Sequence, residues 1–159
     1  MKNIEVIRYK QRLDNLFNQV KQLEDFRENI EFQSHWAKYL CILVSGFLET
    51  SVRKIYSQYT KTKAAPNVVN FVESQLRGFQ NPNMERILQL TQSFNREWGE
   101  VLRSATIGEL KDAVDSIVSN RNLIAHGENV GLTYINIHRY YQAAIQVVEI
   151  IENQCEEQS

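Results

Sequence analysis

Apolar residues recur every three or four positions along most of the chain, the spacing that places them on one face of an α-helix. Residues 3–29 show this pattern first, with Lys, Arg, Glu and Gln between the apolar positions, so we expect an amphipathic helix with one buried stripe. Residues 31–60 carry a broader apolar face, which predicts a central helix or one covered by a second subunit. Gly46 lies in its middle and costs about 1 kcal/mol relative to alanine, so we expect it to permit close approach of a neighbouring helix.

Shorter helices are expected in the middle of the chain. Residues 61–66 predict a loop, and Pro66 suits the first turn of the helix that follows over 67–77. After a break from Gly78 to Asn83, residues 84–95 predict another helix, and Trp98 extends the pattern into a short turn or small helix. In the helix over 67–77, the residues expected to face inward are Val68, Val69, Phe71, Val72 and Leu76.

Two further helices are predicted towards the C-terminus. Thr106 and Glu109 match a capping box, which would begin a helix that carries Ile107 inward and runs into Arg121. After a loop around Gly127 to Gly131, Thr133 would cap a last helix through Ile151, and residues 154–159 are expected to fray.

No segment alternates apolar and polar residues as a strand would. The chain therefore predicts an all-α, up-down bundle of five to six helices, in one domain over residues 1–159. Lys and Arg number 18 against 19 Asp and Glu, so any RNA-binding surface has to be a local patch. Two cysteines without metal-ligand spacing fit a reducing, cytoplasmic setting, and no apolar run predicts a membrane span or signal peptide.

The densest group of chemically capable residues is the stretch 121–127, Arg-Asn-Leu-Ile-Ala-His-Gly. On a helix, Asn122 and His126 would project within about 40° of each other. Leu123 and Ile124 are expected to face the core, and Gly127 can adopt the left-handed conformation that ends a helix. We call residues 121–127 the corner, because the pattern puts them where a helix meets a loop.

These residue types suit the cleavage of RNA by attack of its own 2′-hydroxyl on the adjacent phosphorus. His126 can exchange a proton near neutral pH, as base or acid. Arg121 stays charged and binds phosphate oxygens through two parallel hydrogen bonds, while Asn122 can orient either partner. This chemistry needs no metal or other cofactor. Since two proton transfers are required, a two-fold dimer that joins two corners would supply a second histidine.

A structural interpretation of the same residues is also open, since a lone Arg and His at a helix end often only stabilise it. His35 and His138 have no companions at ligand spacing, so no metal site is predicted. Weaker candidates are Lys61, Lys63 and Arg53 for binding the phosphates of RNA, although scattered charges usually form a solvated surface.

The chain resembles HEPN domains, and among them the RiboL-PSP branch. The resemblance rests on the Arg-x4-His spacing of the corner with Asn after Arg, on residues 45–49 (Ser-Gly-Phe-Leu-Glu), and on residues 55–59 (Ile-Tyr-Ser-Gln-Tyr). It extends over nearly the whole chain.

The resemblance implies a bundle that dimerises with its motifs facing each other, and metal-independent ribonuclease activity, as in many toxins and phage-defence proteins. It assigns catalysis to Arg121 and His126 and polar support to Asn122. Glu49 matches an acidic position that some members use to orient the arginine. RNA would be the substrate, and an antitoxin or other regulatory protein a partner. The alternative is a non-catalytic dimer that binds RNA, a nucleotide or a protein.

Overall fold

A computed structural model describes residues 1–23 and 27–157. Within those residues it contains seven helices and no strand: α1 (Ile4–Lys21), α2 (Ile30–Lys63), α3 (Pro66–Arg77), α4 (Met84–Phe94), α5 (Arg96–Thr106), α6 (Glu109–Ala125) and α7 (Tyr134–Glu156). The all-α prediction is confirmed. The helix count exceeds the predicted five to six, because the segment around Trp98 forms a complete helix of 11 residues.

The longest helix, α2, lies at the centre and packs against α1, α3, α6 and α7. Its 34 residues extend for about 50 Å at 1.5 Å per residue. Side chains from several sides of this helix are fully buried, among them Leu40, Val44, Phe47, Leu48 and Tyr56. The prediction of a central helix is therefore confirmed. No described helix has a stretch long and apolar enough to cross a bilayer.

Helix α1 runs antiparallel to α7, as three hydrogen bonds along its length show. The Tyr134 hydroxyl donates to the carbonyl of Phe17 at 2.9 Å, and the Tyr141 hydroxyl contacts the Asp14 carboxylate at 2.9 Å. At the other end, the buried Glu152 carboxylate accepts from the backbone amide of Lys2 at 2.9 Å. The N-terminal end of α7 therefore lies beside the C-terminal end of α1.

Helix α1 is also antiparallel to α2. The Tyr9 hydroxyl donates to the carbonyl of Leu43 at 3.2 Å, and Glu5 pairs with Lys54 at 2.5 Å. Since α2 and α7 both oppose α1, they run parallel to each other. Helix α6 returns into α7 through a short loop and so runs antiparallel to α2.

The register between α2 and α6 is indicated by the buried Cys41 thiol, which lies 3.5 Å from the carbonyl oxygen of Ile117. Because the two helices are antiparallel, each residue further along α6 lies level with an earlier residue of α2. The C-terminal end of α6, with Arg121 and His126, therefore lies near the N-terminal third of α2.

Gly46 lies where α1 comes closest to α2. A Cβ atom added at Gly46 would lie 2.8 Å from the Tyr9 hydroxyl. The prediction that this glycine permits close helix approach is confirmed.

The predicted capping box is wrong. Thr106 is the last residue of α5, and its hydroxyl donates to the carbonyl of Leu102 at 2.8 Å. Helix α6 begins instead after Gly108, whose φ of +88° turns the chain without a side-chain cap. The turn leaves Ile107 78% exposed rather than facing inward.

Two helices extend further than predicted. Helix α2 continues to Lys63, so the expected loop shrinks to Ala64 and Ala65, although Pro66 does occupy the first turn of α3. Helix α7 continues to Glu156, because Gln154 is buried and donates to the carbonyl of Trp98 at 3.0 Å. Residues 154–156 are thus helical rather than frayed.

Helix α1 ends at Lys21, earlier than predicted, and Phe26, which the sequence pattern places in its buried stripe, lies outside the described residues. In α3, Leu76 is buried, but Val68 and Phe71 are 46% and 64% exposed, contrary to prediction. Among the described helices, α3 makes extensive contact with α2 alone. Its outer apolar side therefore stays uncovered.

Gly46→Ala is expected to destabilise the wild-type protein by about 1–2 kcal/mol, as overpacking does. In a Tyr9→Phe background the obstructing hydroxyl is gone, and the same substitution should gain up to about 1 kcal/mol from helix propensity. Urea unfolding of the four proteins in this double-mutant cycle measures the difference. Equal effects of Gly46→Ala in both backgrounds would refute the proposed contact.

Candidate functional site

The corner is held by a regular helix ending. The amide of Glu128 donates to the carbonyl of Leu123 at 2.9 Å, and the amide of Gly127 donates to that of Ile124 at 3.1 Å. These two bonds define a Schellman motif, with His126 as the C-cap and Gly127 at φ +73°. The prediction that Gly127 ends the helix in the left-handed conformation is confirmed, and His126 is fixed at the last turn.

The polar side chains of the corner are open to solvent. His126 is exposed, and Arg121 and Asn122 are half-buried. The Arg121 guanidinium donates to the Asn122 side-chain oxygen at 3.1 Å. Within the described part of the chain, no carboxylate lies within 4.0 Å of Arg121, so its charge is uncompensated. An anion such as a phosphate can therefore approach it.

Asn122 and Arg121 interact directly, which gives the asparagine a physical role in orienting the guanidinium. His126 lies elsewhere around the helix axis. At about 100° per residue, Arg121 and His126 are roughly 140° apart, whereas Asn122 and His126 are roughly 40° apart. A single corner therefore displays its cation and its imidazole on different sides of the helix.

The expected anchoring by Leu123 is wrong, while that by Ile124 is supported. Leu123 is 42% exposed, whereas Ile124 is half-buried and packs against the core. Leu123 lies about 120° around the helix from Ile117, which faces α2, and so projects away from that contact.

Glu49 does not orient Arg121 within the chain. Its carboxylate pairs with Arg53, one turn later on α2, at 3.1 Å. The register set by Cys41 and Ile117 places Arg121 level with about residue 37 of α2. Glu49 is therefore roughly 18 Å further along the bundle, at 1.5 Å per residue.

The basic residues considered for RNA binding lie towards the opposite end of α2. Arg53 donates to the carbonyls of Phe79 and Arg77, at 2.9 Å to the former through Nε and 3.2 Å to the latter. Lys61 pairs with Glu73 at 2.9 Å, and its hydrogen bond lowers the pKa of that carboxyl. Arg53 and Lys61 thus fasten α3 and the following loop to α2. Lys63 lies in the last turn of α2.

Large apolar side chains near the corner are exposed, and the sequence pattern did not single them out as a surface. Tyr39 and Ile42 on α2 are 49% and 43% exposed, and Leu123 on α6 is comparably exposed. Tyr39 and Ile42 flank Leu40 and Cys41, which are fully buried, so α2 is apolar well beyond the part that its own chain covers. The broad apolar pattern of residues 31–60 was the available signal.

The other titratable candidates have structural surroundings. The ring of His138 packs against Phe17 at 5.4 Å between centroids, and His35 lies 3.7 Å from Glu31. Burial raises the pKa of the Cys41 and Cys155 thiols to about 12, which disfavours the reactive thiolate. No three His, Cys, Asp or Glu side chains within the described ranges converge in a way that could hold a metal ion.

The fold and the corner define an all-helical bundle that presents an Arg-x4-His motif at a capped helix end. Residues 7–157 match the family described as RiboL-PSP-HEPN, which is almost the whole chain. The chain therefore belongs to this HEPN family, and membership supports a role as a ribonuclease or an RNA-binding protein. Searches of curated proteins and of solved structures find no match.

Gly127→Ala is expected to destabilise the protein by about 1–2 kcal/mol, because a Cβ atom is strained at positive φ. It should also disturb the position of His126. Gly131→Ala is the matched control: no atom lies within 4 Å of its added Cβ, and its φ is not in the left-handed region. Urea denaturation measures both, and an unchanged midpoint for Gly127→Ala would contradict the helix-ending role.

Proposed function

We propose that the protein is a metal-independent endoribonuclease that acts as a homodimer, in a toxin or phage-defence role. The observation that carries the proposal is that one rigid helix end presents both an exposed imidazole and an uncompensated guanidinium. These are the two kinds of group that transesterification of RNA requires. Membership of the HEPN family supports the same assignment.

In the proposed reaction, the 2′-oxygen attacks the adjacent phosphorus while the bond from phosphorus to the 5′-oxygen breaks. His126 accepts the 2′-hydroxyl proton or donates one to the leaving 5′-oxygen. Arg121, oriented by Asn122, stabilises the negative charge that develops on the phosphorane oxygens. The products are a 2′,3′-cyclic phosphate and a 5′-hydroxyl.

The geometry of a single corner supports the proposed dimer. One imidazole cannot serve both proton transfers at once, and it lies about 140° around the helix from Arg121. A two-fold axis near the corner would bring the partner's imidazole opposite. The exposed apolar side chains of Tyr39, Ile42 and Leu123 lie on the two helices that approach this end, and covering them would stabilise such an interface.

The alternative proposal is a non-catalytic dimer that binds RNA, a nucleotide or a protein such as an antitoxin. The separation between Arg121 and His126 favours it if no second corner comes close, because the guanidinium alone can bind a phosphate. In that case Glu49 would have no role at the corner and would serve only as the ion-pair partner of Arg53 on α2.

Purified protein is expected to cleave single-stranded RNA in the presence of EDTA. His126→Ala should slow cleavage by at least about 10²-fold, because it removes a proton-transfer group. His35→Ala is the control, since His35 is also exposed and lies 3.7 Å from Glu31 on its own helix. Denaturing gel electrophoresis follows the reaction. Full activity of His126→Ala, or dependence on a divalent cation, would refute the mechanism.

Ile42→Glu is expected to prevent dimerisation and abolish cleavage, because it places a charge in the proposed apolar interface. The native side chain is 43% exposed, so the monomer should stay folded. Ile107→Glu, at a 78% exposed position on the turn between α5 and α6, should leave both properties unchanged. Sedimentation velocity and the cleavage assay measure them together. A fully active Ile42→Glu monomer would show that one corner suffices.

A further inference from the structure

We infer that a cleft between the N-terminal half of α1 and the middle of α2 binds the phosphate backbone of RNA. The inference rests on the proposed function, since it assigns a surface that holds the substrate chain outside the corner. The cleft has a volume of about 490 Å³, and its basic side chains are Arg8 and Arg12.

The charge of the cleft is uncompensated. No carboxylate of the described residues lies within 4.0 Å of either guanidinium group. Glu5 is the acid that lines the cleft, and Lys54 pairs with it at 2.5 Å. Burial raises the pKa of Tyr9, with a smaller contribution from the Glu49 carboxylate of α2, but Glu49 itself pairs with Arg53. Two positive charges therefore remain for a ligand.

The two arginines lie one turn apart on α1. Several oppositely charged pairs of this chain have the same spacing, as in Lys10–Asp14 at 2.6 Å and Lys111–Asp115 at 2.8 Å. Arg8 and Arg12 are four apart from each other, and like charges at that spacing repel and weaken a helix. A bound anion removes this repulsion. The planar guanidinium matches two oxygens of a phosphate, which makes a phosphodiester chain the best-suited ligand.

One arginine is already held in place. The Arg12 guanidinium carbon lies 5.3 Å from the centroid of the Tyr9 ring, a cation–π contact. The Tyr9 hydroxyl in turn donates to the carbonyl of Leu43, which anchors the ring on α2. The same cleft is lined by Gln11, Asn15 and Thr50, whose amide and hydroxyl groups can bond phosphate and ribose oxygens.

The position of the cleft relates it to the corner. The contacts of Tyr9 with Leu43 and of Glu5 with Lys54 place Arg12 level with residues 40 to 47 of α2, which is roughly 5 to 15 Å along the bundle from the level of Arg121. Across the bundle, α2 separates α1 from α6, a distance of roughly 20 Å for two helix spacings. The cleft thus borders the α2 surface that carries Tyr39 and Ile42. A strand lying in it leads towards the proposed interface, where two corners would meet.

The test measures, by fluorescence anisotropy, the affinity of a fluorescein-labelled 2′-O-methyl oligouridylate for the wild-type protein and for the variants below. The measurement is repeated across a series of salt concentrations. The 2′-O-methyl group blocks the attacking oxygen, so the probe is not cut. Arg8→Gln/Arg12→Gln is expected to weaken binding on the order of tenfold or more at low salt. The slope of log affinity against log salt should fall by about 1.4, since each phosphate that an arginine neutralises on a single strand contributes about 0.7. Arg8→Lys/Arg12→Lys should keep most of that slope.

Arg86→Gln/Arg96→Gln is the matched control, because it removes the same charge from exposed arginines on α4 and α5, which make no extensive contact with α1, and should change binding little. Unchanged affinity and slope in Arg8→Gln/Arg12→Gln would overturn the inference, as would an equal reduction in the control variant or a wild-type protein that does not bind the probe. Cleavage of unmodified RNA by the wild-type protein tests the proposed function separately. If the wild-type protein cleaves RNA but the variants show none of these binding differences, the RNA-binding role of the cleft is refuted and the proposed ribonuclease activity stands.

Discussion

The burial of α2 on several sides is the constraint on which the rest of the molecule depends. Four helices pack against it, and side chains such as Leu40, Phe47 and Tyr56 are removed from water as a result. Burying an apolar side chain of this size contributes about 1.5–3 kcal/mol, so the sum exceeds what any single surface contact supplies. The corner, the cleft at Arg8 and the exposed apolar surface all take their positions from the register of their helices on α2.

Much of this arrangement could be predicted from the sequence, because helical periodicity shows which side of a helix is apolar. The central position of α2, the close approach at Gly46 and the helix ending at Gly127 all follow from that periodicity and from the properties of glycine. Membership of the HEPN family was likewise evident from residues 121–127 and 45–49. The helix ending at Gly127 is local, and the breadth of the apolar face of α2 and the glycine within it can be read from the sequence before the neighbouring helices are known.

Other features depend on which neighbour covers a surface, which periodicity does not show. Val68 and Phe71 have the spacing of buried residues, yet no described helix covers them. Glu49 lies on the predicted helix, but its partner is decided by the register between α2 and α6, which sets it far from Arg121. Thr106 has the capping-box spacing, but α5 extends through it. Arg8 and Arg12 are ordinary surface residues until the packing of α1 on α2 forms the cleft.

The central claim is that the corner directs a 2′-hydroxyl attack on RNA. The most direct measurement compares an RNA oligonucleotide with one that carries a single 2′-deoxy residue on the 5′ side of the cleaved bond, with mass spectrometry of the product ends. The account predicts cleavage of the first to a 2′,3′-cyclic phosphate and a 5′-hydroxyl, and no cleavage at the deoxy position. Cleavage at the deoxy position, or products with a 5′-phosphate, would contradict it.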